Sequence, residues 1–135
     1  MTVVDTSVWV DYFNGRATRA TNMLDSLLGR KHLAIGDLII AEVLQGFRSP
    51  ARFATAKELL LSFTIHEMLG VGLAIKSAEN VRILRRRGIT VRSTADVIIA
   101  TFCISDGHDL LFSDKDYLPF VEHLGLCPTD PPPVS

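Results

Sequence analysis

Short apolar runs alternate along the chain with longer stretches whose apolar residues recur at helical spacing. Thr2-Val3-Val4 is compact and apolar and predicts a buried strand. Thr6 or Ser7 is placed to cap a helix running to about Phe13, and Asn14-Gly15 is placed to stop it. Met23, Leu24, Leu27 and Leu28 form one apolar stripe on a helix from Thr18 to Leu28, closed by Gly29. His32 to Ile35 predicts a second strand. Asp37 is expected to cap a helix through Phe47, with Ser49-Pro50 ending it, because the residue before a proline is pushed out of helical geometry. Ala51 to Leu61 predicts a helix and Phe63-Thr64-Ile65 a third strand. Gly70 or Val71 to Arg87 predicts a long helix closed by Gly88. Ser93 or Thr94 opens the next helix, to about Ser105, ahead of Asp106-Gly107. Leu110-Leu111-Phe112 predicts a fourth strand, Tyr117 to Glu122 a short helix, and Leu124-Gly125-Leu126 a fifth strand.

Strands this short and apolar, alternating with helices, indicate an α/β fold around a mainly parallel sheet. Right-handed crossovers bring the carboxyl ends of such strands to one edge, where ligand sites form. The 135 residues, 47% of them hydrophobic, suit one compact domain over residues 1–128. Residues 129–135 are proline-rich and predict an extended tail. The strongly apolar run Val97 to Ile104 falls short of the ~20 residues that cross a bilayer. Asp5 and Asp11 interrupt the N-terminus with no basic segment before them, so neither a signal peptide nor a membrane partner is expected, and the chain is expected to be cytoplasmic. Cys103 and Cys127 are too few for a disulfide framework or a cysteine-based zinc site. With 14 Lys+Arg against 15 Asp+Glu, the whole chain has no pull towards nucleic acid. A polyanionic partner would need a local basic patch or a metal ion.

Four acids stand where acids are costly. Asp5 ends Val3-Val4, Glu42 lies inside Leu38-Ile39-Ile40-Ala41-Glu42-Val43-Leu44, and Asp96 opens Val97-Ile98-Ile99-Ala100. Asp114 follows Leu110-Leu111-Phe112-Ser113, with Asp116 two residues on. A carboxylate amid large aliphatic side chains is rarely fully buried unless paired or metal-bound. Each has an ordinary explanation. Asp5 suits a helix cap, and Ser93-Thr94-Ala95-Asp96 fits a capping box. Asp114 and Asp116 suit an Asx-turn, and Glu42 the wet edge of an amphipathic helix. Jointly those explanations weaken, because the expected fold gathers all four acids into one crevice. Clustered carboxylates repel one another unless a cation neutralises them, and Mg²⁺ or Mn²⁺ prefers oxygen ligands. Such a centre suits phosphodiester hydrolysis. His32, His66, His108 and His123 lack the spacing of a metal motif and are expected to be surface or structural residues.

The segments Val3-Val4-Asp5-Thr6-Ser7-Val8-Trp9 and Glu42-Val43-Leu44-Gln45-Gly46 together form half of a familiar pattern. Val91-Arg92-Ser93-Thr94-Ala95-Asp96-Val97-Ile98-Ile99-Ala100 and Leu111-Phe112-Ser113-Asp114-Lys115-Asp116-Tyr117 complete it. In this order, over residues 2 to 127, the chain resembles the PIN-domain ribonucleases, and among them the VapC toxins of bacterial toxin–antitoxin pairs. The resemblance implies a three-layer α/β/α sandwich and Mg²⁺- or Mn²⁺-dependent cleavage of RNA. It also implies a homodimer, and inhibition by a cognate VapB-type antitoxin within a toxin–antitoxin hetero-oligomer. Asp5, Glu42, Asp96 and Asp114 match the family's catalytic acids, with Asp5, Asp96, Asp114 and the additional Asp116 as its metal ligands. Thr6 and Ser113 match hydroxyl positions lining the site. Tyr117 stands where the family often has Phe, a departure expected to preserve packing.

Arg92, four residues before Asp96, is the first candidate for a substrate phosphate contact. Arg85-Arg86-Arg87 either joins it or complements the dipole of the helix it ends. Trp9, Tyr12 and Phe13 are expected in the core; the alternative is a groove for an apolar antitoxin segment. A haloacid-dehalogenase-like phosphatase would need a second Asp where Ser7 stands. A phosphoreceiver domain would need an Asp after Phe63-Thr64-Ile65, where His66 stands. The remaining rival is a PIN-like module that binds RNA or protein without cutting, against which the complete acidic set argues.

Overall fold

The computed structural model describes residues 1–30 and 32–129. Its elements, in chain order, are β1 (Thr2–Val4), α1 (Thr6–Phe13), α2 (Arg19–Leu27), β2 (Leu33–Gly36), α3 (Asp37–Leu44) and α4 (Pro50–Leu60). They continue with β3 (Thr64–His66), α5 (Val71–Arg86), α6 (Thr94–Asp106), β4 (Asp109–Leu111), a 3-10 turn (Lys115–Tyr117), α7 (Leu118–Leu124) and β5 (Cys127–Pro128). The five strands form one sheet in the order β3-β2-β1-β4-β5, and every pairing is parallel. Helices α1 to α4 pack among themselves, as do α5 to α7, giving a helical layer on each side of the sheet. This is the parallel α/β fold expected from the apolar pattern, in the three-layer α/β/α form that the resemblance implies.

The central strand β1 is fully enclosed, with Thr2, Val3 and Val4 all at 0% exposure. Trp9, Ile35, Ile39, Leu84, Ile99, Leu110 and Phe120 fill the layers around it. Chain order reverses between β1 and β4, which are hydrogen-bonded neighbours although 107 residues separate Thr2 from Asp109. That reversal opens a crevice at the carboxyl ends of both strands.

Several expected boundaries move by a few residues. Asp5, rather than Thr6 or Ser7, caps α1. Gly36 precedes α3, so Asp37 is its first residue instead of its cap; the Asp37 carboxylate accepts from the Leu38 and Met68 backbone N–H groups. Helix α3 stops at Leu44 rather than Phe47. Ser49-Pro50 does not end that helix but opens α4: Ser49 Oγ accepts from the Arg52 N–H and Pro50 takes the first turn, where its missing N–H costs nothing. The fifth strand lies at Cys127–Pro128, not Leu124–Leu126, because α7 runs through Leu124 and Gly125 ends it at φ +82°. The fourth strand begins one residue early, at Asp109. Of the proline-rich tail, residues 130–135 lie outside the described residues. Thr129 is tied to β4, its N–H donating to the Leu110 carbonyl at 2.9 Å and its hydroxyl to Asp109 Oδ2 at 2.6 Å.

Candidate active site

Four parts of the chain meet at the β1/β4 crevice. Asp5 sits at the end of β1, 3% exposed. Its backbone N–H continues the sheet by donating to the Leu111 carbonyl at 2.9 Å. Its Oδ2 accepts from the Ser7 hydroxyl at 2.6 Å and from the Ser7 N–H, so the helix cap expected from sequence is real. The other oxygen is free for different work: Oδ1 accepts from the Tyr117 hydroxyl at 2.6 Å. The same hydroxyl lies 3.2 Å from Asp96 Oδ1. One phenol thus bridges two carboxylates, one at the end of β1 and one in the first turn of α6.

Asp96 is placed by its own helix start. Ser93 Oγ accepts from the Asp96 N–H at 3.2 Å, the forward half of the expected capping box, while the Asp96 carboxylate turns towards Tyr117. Glu42 reaches the crevice from α3, half-buried, and its Oε1 accepts from the Thr6 hydroxyl at 2.7 Å. Asp114 and Asp116 are exposed on the segment after β4. The expected Asx-turn forms there, with Asp114 Oδ1 accepting from the Asp116 N–H at 2.9 Å. Asp96, Asp114 and Asp116 each present a carboxylate oxygen within 4.8 Å of the others. Capping, turn formation and clustering are therefore simultaneous: each acid meets a local need with one oxygen or its backbone and still faces the crevice.

The electrostatics follow from the crowding. Burial, then the neighbouring Asp5, push the Asp96 pKa up to about 6. The Tyr117 hydrogen bond opposes that rise, while Asp114 and Glu42 add to it. Burial and the same two aspartates hold Tyr117 protonated, as a permanent donor. Three carboxylates that raise the pKa of a fourth define a site short of positive charge, and every potential ligand is an oxygen. A hard divalent cation fits that donor set.

Arg92, Lys115, Asp96 and Asp116 line one small cleft, placing a guanidinium and an ammonium beside the acids. Ser113 is exposed immediately before Asp114. Arg85 instead borders a wider groove between α5 and α6, of about 550 Å³, lined by Leu69, Val81, Val97 and Ile98 and offering no carboxylate. Arg86 and Arg87 are exposed at the end of α5. Trp9 is wholly buried and packs against Tyr12, Phe13 and Phe63, so it belongs to the core as expected. Phe13 also lines a surface groove with Phe47, Ala51 and Arg52.

Sequence reasoning missed the hydroxyl of Tyr117 as a site group, although the departure from Phe at that position was the available signal. It also passed over Ser7, whose hydroxyl fixes Asp5.

Comparison with known proteins places this geometry. The family model described as PIN domain matches residues 2–122. A VapC ribonuclease of Mycobacterium bovis and ribonuclease VapC11 of Mycobacterium tuberculosis are each 30% identical over 122 residues, covering 87% of this chain and 89% of theirs. Among solved structures, the VapBC2 complex of Rickettsia felis, bound to a DNA fragment from its promoter, superposes with a TM-score of 0.74 at 18% identity. That match covers 95% of this chain and 96% of that one. VapC20 of Mycobacterium tuberculosis, a sarcin–ricin loop cleaving toxin, has a TM-score of 0.69 at 15% identity, over 97% of this chain and all of its own. At such identities the structural likenesses speak to fold.

Proposed function

The chain belongs to the PIN-domain family and, within it, to the VapC ribonucleases, and from that premise we propose that it is a divalent-metal-dependent endoribonuclease, the toxin of a toxin–antitoxin pair. The observation that carries the reading is the convergence of Asp5, Glu42, Asp96 and Asp114 on one crevice. Asp5, Asp96 and Asp114 are assigned as metal ligands, with Asp116 joining them or holding their turn. Mg²⁺ or Mn²⁺ suits an all-oxygen set. When bound, such an ion lowers the pKa of a coordinated water and offsets charge developing on the phosphate.

The chain's own side chains supply the rest. Ser7 and Tyr117 hold the two oxygens of Asp5 in fixed directions, and Tyr117 ties Asp96 to the same frame. Glu42, oriented by Thr6, completes the acidic cluster and helps position the attacking water. Arg92 contacts the phosphodiester, and the Thr6 and Ser113 hydroxyls line its path. The groove between α1 and α4, with Phe13, Phe47 and Arg52, receives an apolar antitoxin segment. A basic antitoxin side chain placed among the acids would silence them. The protein works in the cytoplasm as a homodimer and, with its antitoxin, as a hetero-oligomer.

The test is incubation of antitoxin-free protein with total bacterial RNA in Mg²⁺ or Mn²⁺, with EDTA and Asp96→Asn alongside and 5′ ends mapped. Discrete cuts absent from both controls are expected. Full cleavage by a folded Asp96→Asn protein would overturn the site assignment. Failure of the wild-type chain to cut while it binds metal and RNA would favour a binding-only module.

A further inference from the structure

Away from the acidic crevice, the fold assembles a second set of ligand-type side chains that the nuclease reading does not use. His66 closes β3, Asp106 is the last residue of α6, and His108 stands in the connection to β4. One ligand atom from each lies within 4.8 Å of the other two. The two imidazole centroids are 5.3 Å apart. Phe102 walls both rings, stacked on His108 at 5.5 Å and tilted against His66 at 5.6 Å. His66 Nε2 and both ring nitrogens of His108 are buried and make no well-aligned hydrogen bond among the described residues; the nearest backbone group to His108 is that of Met1, which meets the ring only in poor geometry. Buried polar atoms are normally satisfied, and leaving one unpaired is costly. Three such atoms in one place are an independent sign of a missing ligand.

We propose that His66, His108 and Asp106 bind a single Zn²⁺ ion, at a site separate from the acidic crevice. Two imidazoles and one carboxylate form a zinc-type donor set, whereas Mg²⁺ takes oxygen. The size is right: a point exists within about 2.8 Å of three atoms that are mutually 4.8 Å apart, so side-chain shifts of under about 1 Å give zinc–nitrogen bonds of ~2.0–2.1 Å. The ligands stand on anchored backbone. His66 pairs with Gly36 in the sheet, and the His108 N–H donates to the Cys103 carbonyl at 2.9 Å behind the left-handed Gly107 that ends α6. Asp106 is exposed, leaving the site open to the ion and the fourth position to water. Filled, the site cross-links the edge strand β3 to the α6–β4 junction.

The test is a Zn²⁺ titration of untagged, metal-stripped protein by calorimetry, in excess Mg²⁺ to occupy the oxygen site. One equivalent is expected to bind and to raise Tm. Asp96→Asn should retain Zn²⁺ affinity within about twofold, while His66→Gln and the exposed Asp106→Asn each lose about tenfold or more. His108→Gln is the strongest variant if it folds; Asp106→Asn keeps the test decisive if it does not. No binding by the wild-type chain up to millimolar Zn²⁺ overturns the proposal. So does binding that survives His66→Gln and Asp106→Asn but is lost in Asp96→Asn, which would put the zinc among the acids.

Discussion

The two ends of α6 do opposite things with the same kind of residue. At its start, Asp96 lies among carboxylates but is served by hydroxyls: Tyr117 donates to it and to Asp5, Ser7 to Asp5, and Thr6 to Glu42. At its finish, Asp106 lies beside two imidazoles whose buried nitrogens make no well-aligned hydrogen bond among the described residues. The first end has polar partners that fix oxygen ligands before any ion arrives. Among the described residues the second has no well-aligned partner for its imidazoles, so an ion would supply one. Preorganisation suits a centre that must hold geometry through a reaction. An unsatisfied pocket suits a centre whose ion contributes to folding.

The largest effect separates the two ends by activity. Asp96→Asn is expected to lower metal-dependent RNA cleavage about 10³-fold or more, since the ion it helps hold supplies several kcal/mol of transition-state stabilisation. Asp106→Asn, at the other end, should leave cleavage rates within about twofold, as for an ordinary surface substitution. Equal losses in the two variants would erase the distinction.

Tyr117→Phe is the next. It keeps the buried ring and removes only the shared donor. Cleavage should fall about tenfold, which corresponds to the ~1.5 kcal/mol of one hydrogen bond to a charged group. Because the phenol also holds the Asp96 pKa down, the acid limb of the pH–rate profile should move to higher pH in this variant. A rate loss without that shift would mean that the hydroxyl only packs.

Stability against pH gives a smaller effect with a definite sign. The Asp96 pKa stands at about 6 in the native protein against an ordinary 3.8. Between those values the native state holds a proton that the unfolded chain releases. This group's contribution is therefore complete below about pH 4 and is lost as pH rises through 6. In urea melts without metal, Asp96→Asn should remove that slope and stabilise the protein at pH 7 by about 1 kcal/mol, after discounting for the half-exposed carboxyl. Saturating Mg²⁺ should reverse the advantage, because the ion favours the ionised form. Smallest of all, Arg92→Ala should reduce the salt slope of RNA binding by about 1, as expected for one lost phosphate contact. An unchanged slope would remove Arg92 from the substrate path.

The acids were legible because each breaks an apolar run, a local signal that survives any uncertainty about helix ends. Boundaries were less legible where two capping residues stood side by side. Asp5 beats Thr6 and Ser7 because its carboxylate receives both the N–H and the hydroxyl of Ser7, a competition that residue type alone does not decide. Ser49-Pro50 reads equally well as a stop or a start, and packing of α4 against α3 selects the start. Tyr117 was readable as a core aromatic, but not as a donor to a carboxylate 112 residues away.

What the sequence by itself determined is the alternation of strands and helices, the parallel α/β class and the four acids with their flanking hydroxyls. These rest on periodicity and on the cost of charge beside aliphatic side chains, both local to the chain. Only the tertiary structure decided which of these groups touch. The strand order puts β4 beside β1 and so brings both Asp5 and Asp114 to Asp96; the turn after β4 aims the Tyr117 hydroxyl between two aspartates; and α6 carries Phe102 and Asp106 to His66. Contacts of that range depend on crossovers and on the packing of separate layers, and no spacing along the chain encodes them.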